Sequence, residues 1–573
     1  MRKKYQWLAY ITATTLLTGL GIVTSDSQVA RAITTFSPIG DDINGEAFGD
    51  NFGVSVAMSA DGNRIAIGAL YNTNSAGHVR VYSWNGTAWT QTGTDIDGEA
   101  DGDQSGYSVA MSADGNRIAI GAYDNDGNGS NAGHVRVYSW NGTAWTQTGT
   151  DIDGEAAGDW LGYSVAMSTD GNRIAIGGIR NDGSDNNAGH VRVYSWNGTT
   201  WTPTGTDIDG EAAGDEFGSS VAMSADGNRI AVGAPNNDGT GDYAGHVRVY
   251  SWNGTAWTPT GTDIDGEAAE DWSGYAVAMS ADGNRIAIGA PLNDGNGTNA
   301  GHVRVYSWNG TAWTPTGTDI DGEAADDQSG WSVAMSADGN RITIGAFTND
   351  GNGNDAGHVR VYSSDGAAWT QTGTDIDGEA AGEWSGFSVA MSTDGNRIAS
   401  SAISNDDSYL DAGQVRVYAV LNSPGAPTVS AVTAANGSLT ISFTAGADGG
   451  SPITNYKYSI DGTNYIALNP AAATSPFTIS GLTNGTTYTV TIKAVNAVGD
   501  SVASNAVTGT PVAPAATPTE PNNTSAPTTV ATTPTLAVAV SLPETGSNTS
   551  TAATIGLFLA IVGLILVSRR KIV

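Results

Sequence analysis

Ser108-Val109-Ala110-Met111-Ser112, followed by the turn Asp114-Gly115-Asn116 and the apolar run at 117–121, decides the reading of this chain. The pattern returns with its valine at Val165, Val221, Val277, Val333 and Val389, a period of 56 residues, and an earlier copy at Val56 lies 53 residues before Val109. Seven copies at near-constant spacing mark a repeat architecture. Within one copy, residues 109–112 and 117–121 alternate at the period of a strand, joined by an Asp-Gly turn suited to a tight hairpin. A third run at 134–140 leads through Asn141-Gly142 into a fourth at 145–148. Four short strands per unit is the plan of a propeller blade. The expected fold is therefore all-β, a seven-bladed propeller of four-stranded blades over residues 33–420.

The ends of the array support a closed ring. The seventh copy reaches Tyr418 and lacks a fourth strand. Ahead of the first copy, however, Phe36-Ser37-Pro38-Ile39-Gly40 aligns with Trp89-Thr90-Gln91-Thr92-Gly93. The N-terminal segment is expected to become the outer strand of the last blade, which hides both free sheet edges.

Composition narrows the functional classes. The 573 residues include 77 Gly, 16 Trp and 20 Tyr but no Cys, which removes disulfides, thiolate catalysis and Cys-ligated metals. A net charge of -34 argues against nucleic acid, whose phosphates need clustered Lys and Arg. Arg2, Lys3 and Lys4, an apolar run and then Ala30-Arg31-Ala32 read as a signal peptide (1–32) cleaved after Ala32. At the other end, Leu542-Pro543-Glu544-Thr545-Gly546 precedes an apolar stretch at 552–567 and the cations Arg569, Arg570 and Lys571. Segment 542–573 resembles the sorting signal of sortase substrates. That resemblance implies a cut between Thr545 and Gly546, attachment of Thr545 to a peptidoglycan cross-bridge in a Gram-positive cell wall, and only transient membrane residence.

Phe52-Gly53 and Phe217-Gly218, with Gly233-Ala234-Pro235 and Gly289-Ala290-Pro291, resemble FG-GAP repeats across residues 33–420. The resemblance implies the propeller of integrin α chains and ligand binding on a rigid ring. The turn at 113–116 is too short for the acidic calcium loop found there in integrins, so calcium does not carry over with it. The same turn also resembles tryptophan-aspartate repeats and sialidase Asp boxes, which predict a propeller as well. Residues 421–514 lose the repeat, and Gly481-Leu482-Thr483-Asn484-Gly485-Thr486-Thr487-Tyr488 resembles the tyrosine corner of fibronectin type III domains, with Phe443 where many members have Trp. Residues 515–541 are rich in Pro and Thr and read as an extended wall-spanning linker.

In an up-and-down ring, the connections between second and third strands, and from the fourth strand to the next blade, emerge on one face. Most of the acidity goes there, and a binding site is expected on that face. Asp124, Asp126 and Asn128 alternate oxygen side chains in a way that suits calcium, but the pattern reads first as a soluble Asn/Asp/Gly turn. Asp182 with Asp185, Asp238 with Asp242, and Asp350 with Asp355 are comparable pairs. The six histidines, His78, His134, His190, His246, His302 and His358, occupy one repeat position, where the seventh copy has Gln414. Such repetition reads as an inter-blade contact rather than catalysis. Two recurring arginines per blade, as at Arg64 and Arg80, are expected to pair with carboxylates. Trp160, Trp272 and Trp384 fall on the acidic face, where they either anchor loops or, if exposed, offer rings for sugars to stack on. No catalytic residue is assigned and no enzyme motif stands out. Adhesion or ligand binding is the first functional expectation, with an extracellular polysaccharide-acting enzyme or a passive surface component as alternatives. The partners expected are sortase, the wall peptide and a protein or glycan ligand.

Overall fold

The computed structural model describes residues 34–515. The signal peptide with its cleavage after Ala32, the linker beyond residue 515 and the sorting signal from Leu542 to Gly546 lie outside the described residues. Among those described, no helix is long and apolar enough to cross a membrane.

Seven antiparallel sheets repeat one plan. In the second blade the strands are Ser108–Met111, Arg117–Ala122, His134–Trp140 and a fourth in two pieces, Trp145–Gln147 and Ile152–Asp153. The fourth strand expected at 145–148 therefore extends further, to Asp153. The chain returns to the third strand, with Val135 opposite Ile152 and His134 opposite Asp153. The reason is apolar: Ile152 is buried in a cluster with Val135, Val137 and Leu161.

Ring closure follows the expected route. Thr34–Pro38 pairs antiparallel with Gln414–Asn422, Thr34 opposite Asn422 and Pro38 opposite Tyr418, and Ile43–Asn44 pairs further along the same strand. Phe36 packs against the cluster of Val359, Ile376, Val389 and Tyr418.

The cores lie between blades. One of them joins Ala175, Val191 and Ile208 of the third unit to Phe217, Ile230, Val232 and Tyr250 of the next. Polar latches add to this apolar seam. The Trp201 indole donates to the Thr148 carbonyl at 2.9 Å, and Arg117 donates to the Gly171 carbonyl at 2.9 Å and the Asn172 side-chain oxygen at 2.7 Å. This corrects the expectation for the Arg64-type arginines, which form no ion pair with the turn carboxylates. Asp170 is already occupied inside its own turn, accepting from Ser168, the Asn172 amide and the Asn172 side chain. The Arg80-type residues do pair as expected, and Arg192 lies 3.3 Å from both Glu155 and Asp207.

After the ring, Thr428–Ala435, Ser438–Thr444 and Phe477–Ser480 form one sheet of a sandwich. Ile466–Ala467, Asn455–Ser459, Tyr488–Val495 and Val507–Gly509 form the other. The Tyr488 hydroxyl accepts the Thr483 amide at 3.0 Å, making the expected corner. Phe443 is buried edge-on against Tyr456 at 4.5 Å between centroids. The junction with the ring is held by Asn496, whose side-chain amide donates to the carbonyls of Asn422 and Asp448, each at 2.8 Å.

Candidate functional site

Each fourth strand passes to the next blade through a loop of one design. In the third unit the buried Asp159 carboxylate accepts the amides of Glu155 and Ala156, at 3.0 and 2.8 Å, and so closes the loop. The following residue is left-handed in every copy: Asn51, Gln104, Trp160, Glu216, Trp272, Gln328 and Trp384 have φ between 50° and 61°. Side chains as bulky as tryptophan are rarely held there without a tertiary or functional reason. Two residues later comes a glycine such as Gly162, with φ 93°, where a Cβ would crowd the His134 carbonyl. The next residue opens the inner strand.

Those opening residues are Val54, Tyr107, Tyr163, Ser219, Tyr275, Trp331 and Phe387, one from each blade. In blades that otherwise repeat nearly the same residues, this position holds five different residue types. All seven line one cavity of about 460 Å³ on the ring axis, together with Glu216, Pro235, Asn236, Trp272 and Ser388. On one side, Tyr107 contacts Tyr123 and Tyr163 at centroid distances of 4.6 and 4.7 Å. On the other, Trp331 contacts Tyr275 at 4.4 Å and Phe387 at 5.7 Å, and Trp272 stacks on Tyr275 at 6.0 Å. The cup opens on the face that carries the acidic loops.

Its electrostatics are those of a partly dry site. Burial pushes the phenols of Tyr107 and Tyr275 well above their ordinary range, with the neighbouring Tyr163 adding to both. Burial also raises the Glu216 carboxyl, and Arg180 opposes that shift. The Arg180 guanidinium lies over the Trp160 ring, 3.4 Å from its centroid.

The calcium candidates take other partners. Asp124 accepts from Gln104 at 2.6 Å and Asn131 at 2.9 Å, Asp126 accepts the Asn131 amide at 2.8 Å, and Asn128 donates to the Gly154 carbonyl at 2.7 Å. Asp182, Asp238 and Asp350 repeat the role of Asp126, each accepting the amide five residues on. These side chains hold their loops in shape, and a cation would have to displace those bonds.

Groups with metal-ligand chemistry recur elsewhere. In Glu155, His190 and Asp207, and in the matching sets of neighbouring blades, one ligand atom per residue lies within 4.8 Å of the others. Arg192 sits in that same cluster and already balances both carboxylates. His190 is 1 % exposed, and burial lowers its pKa to about 4, so the imidazole is neutral. Of the tryptophans singled out in the sequence, Trp272 lines the cup, Trp160 stacks on Tyr163, and Trp384 packs against Phe347 at 5.6 Å.

The sequence reading missed Tyr107, Tyr163, Tyr275, Trp331 and Phe387. A signal was available in a position next to a constant glycine that changes from copy to copy, although other loop positions, such as that of Asp124, vary as much or more.

Comparison with known proteins agrees with this architecture. The FG-GAP repeat family matches residues 89–138, 206–250, 262–306 and 318–362, and the fibronectin type III domain family matches 422–510. No curated protein matches the sequence. Among solved structures, the chain is similar to hydrazine synthase of Kuenenia stuttgartiensis at 16% identity, covering 66% of this chain and 97% of that one with a TM-score of 0.42. It is also similar to the β-propeller domain of the Trilobed protease from Pyrococcus furiosus at 11% identity, covering 61% and 90% with a TM-score of 0.35. The chain thus carries FG-GAP repeats in an all-β propeller, followed by a fibronectin type III domain.

Proposed function

We propose that this is an extracellular ligand-binding protein of the adhesion type, and that the axial cup holds the ligand. The observation that carries this reading is the convergence of the variable positions. All seven copies of one variable repeat position line a single cavity, joined by residues of other variable positions such as Glu216, Trp272 and Asn236, and that concentration of differences in one place suits a site shaped for a ligand. FG-GAP repeats joined to a fibronectin type III domain support an extracellular binding role. The signal-peptide pattern ending at Ala32 and the sortase-like segment at Leu542 to Gly546 support export and attachment to peptidoglycan through Thr545. Catalysis is left out of the proposal, because Glu216 is the one carboxylate lining the cup and glycoside hydrolysis ordinarily uses two. A calcium ion on this face would use the recurring Glu, His and Asp groups and displace the arginine that now balances them.

The test is capture of the full-length protein on an array of matrix proteins and glycans, with calcium and with a chelator, beside Trp331→Ala. Capture that Trp331→Ala abolishes supports the cup. Capture lost in chelator assigns a cation, and capture unchanged there removes it. No capture by the wild type, or equal capture by the variant, overturns the proposal.

A further inference from the structure

We infer that the axial cup recognises an alkylated ammonium group, such as a choline headgroup or an N-methylated side chain. This deepens the binding role proposed above and rests on it. Aromatic faces carry negative quadrupole potential and attract cations, most strongly where water is excluded. Tyr107, Tyr163, Trp272, Tyr275, Trp331 and Phe387 all line the cavity, so a cation entering here meets aromatic surface contributed by several blades.

Glu216 is the only ionisable carboxylate among the lining residues, and no Lys or Arg is among them. The cation that opposes its shift, Arg180, lies over the Trp160 ring. Trp160 stacks in turn on the lining residue Tyr163, so a cation already rests on aromatic surface next to the cup. Burial without a full counter-charge disfavours the ionised form of Glu216, and a bound ammonium would relieve that. An anionic ligand would face this carboxylate inside a molecule of net charge -34. A hydrated primary amine loses more water on entry than a methylated one, which presents a soft apolar shell to the rings. The cavity, at about 460 Å³, is within the usual ~300–1,000 Å³ range of small-ligand sites.

The test is calorimetric titration of the full-length protein with tetramethylammonium, choline and trimethyl-lysine, beside 3,3-dimethylbutan-1-ol, the uncharged isostere of choline, and methyl glucoside. The expected result is binding of the cations at least about tenfold tighter than the isostere. Glu216→Gln and Trp331→Ala should each lose that margin, while His190→Gln, whose side chain does not line the cup, keeps it. Relative affinities of choline and trimethyl-lysine then distinguish the two sources. Equal binding of the isostere, binding of methyl glucoside alone, or cation binding that both cup variants retain would each overturn the inference. If array capture depends on Trp331 while the ammonium ions fail to bind, the binding role stands and the ligand class falls.

Discussion

Acid should loosen this ring through its buried histidines, and the size of the effect follows from their environment. His134, His190, His302 and His358 are held at about 4 by burial, against the ordinary 6.5, and His78 and His246 shift in the same direction. A folded pKa below the unfolded one means that the unfolded chain binds more protons between about pH 4 and 6.5. Stability is therefore complete above pH 6.5 and falls as pH drops through that window. For one histidine, moving from pH 7.5 to pH 5 costs about 2 kcal/mol, and four independent sites cost about 8. That is comparable with the whole stability of an ordinary domain, roughly 5–15 kcal/mol. The seventh blade supplies the control residue. Gln414 occupies the same position, donates to Asp407 at 3.1 Å and Asp42 at 3.2 Å, and accepts from Arg416 at 2.7 Å. Denaturant unfolding of wild type and His190→Gln at the two pH values should show a pH dependence smaller by about 2 kcal/mol in the variant, whatever its absolute stability. Identical pH dependence would refute the claim that buried neutral imidazoles set the acid limit.

Three further outcomes test the scaffold. Trp201→Phe removes the donor to the Thr148 carbonyl and should cost about 1 kcal/mol in denaturant unfolding, with the fold unchanged by circular dichroism. Arg117→Lys loses the paired contacts to Gly171 and Asn172 and should cost about 1–3 kcal/mol; a neutral result would show that the seam is apolar packing alone. Deleting residues 34–44 uncovers the edge of Gln414–Asn422 and should produce self-association in size-exclusion chromatography, whereas an unchanged elution volume would contradict closure by the N-terminal strand.

The blade plan, the seven copies and the closing strand were legible because each depends on local periodicity and on turns that only certain residues make. The second half of the fourth strand was not, since Ile152 stands among Asp151, Asp153 and Gly154 and looks like a loop until Val135 and Leu161 are seen to enclose it. Arg64 and Arg80 look alike in sequence. Only the structure reveals that the turn carboxylates are consumed by their own Ser and Asn, leaving the Arg64 set to carbonyls. The cup opens on the acidic face, yet acidity itself pointed to Asp124 and Asp126, which tie down their own loop. The cup escaped notice because its residues are 56 apart or nearly so, and meet only when the ring closes.

The central claim is that the ligand sits on the ring axis, and filling that space tests it more directly than emptying it. Ser219→Trp places in the fourth blade the residue that Trp331 already supplies in the sixth, at the same backbone position, so the fold has a precedent for it. The account predicts a protein with unchanged circular dichroism and unfolding midpoint that no longer captures the array target of the wild type. Full capture by a folded Ser219→Trp protein would place the binding site elsewhere on the ring.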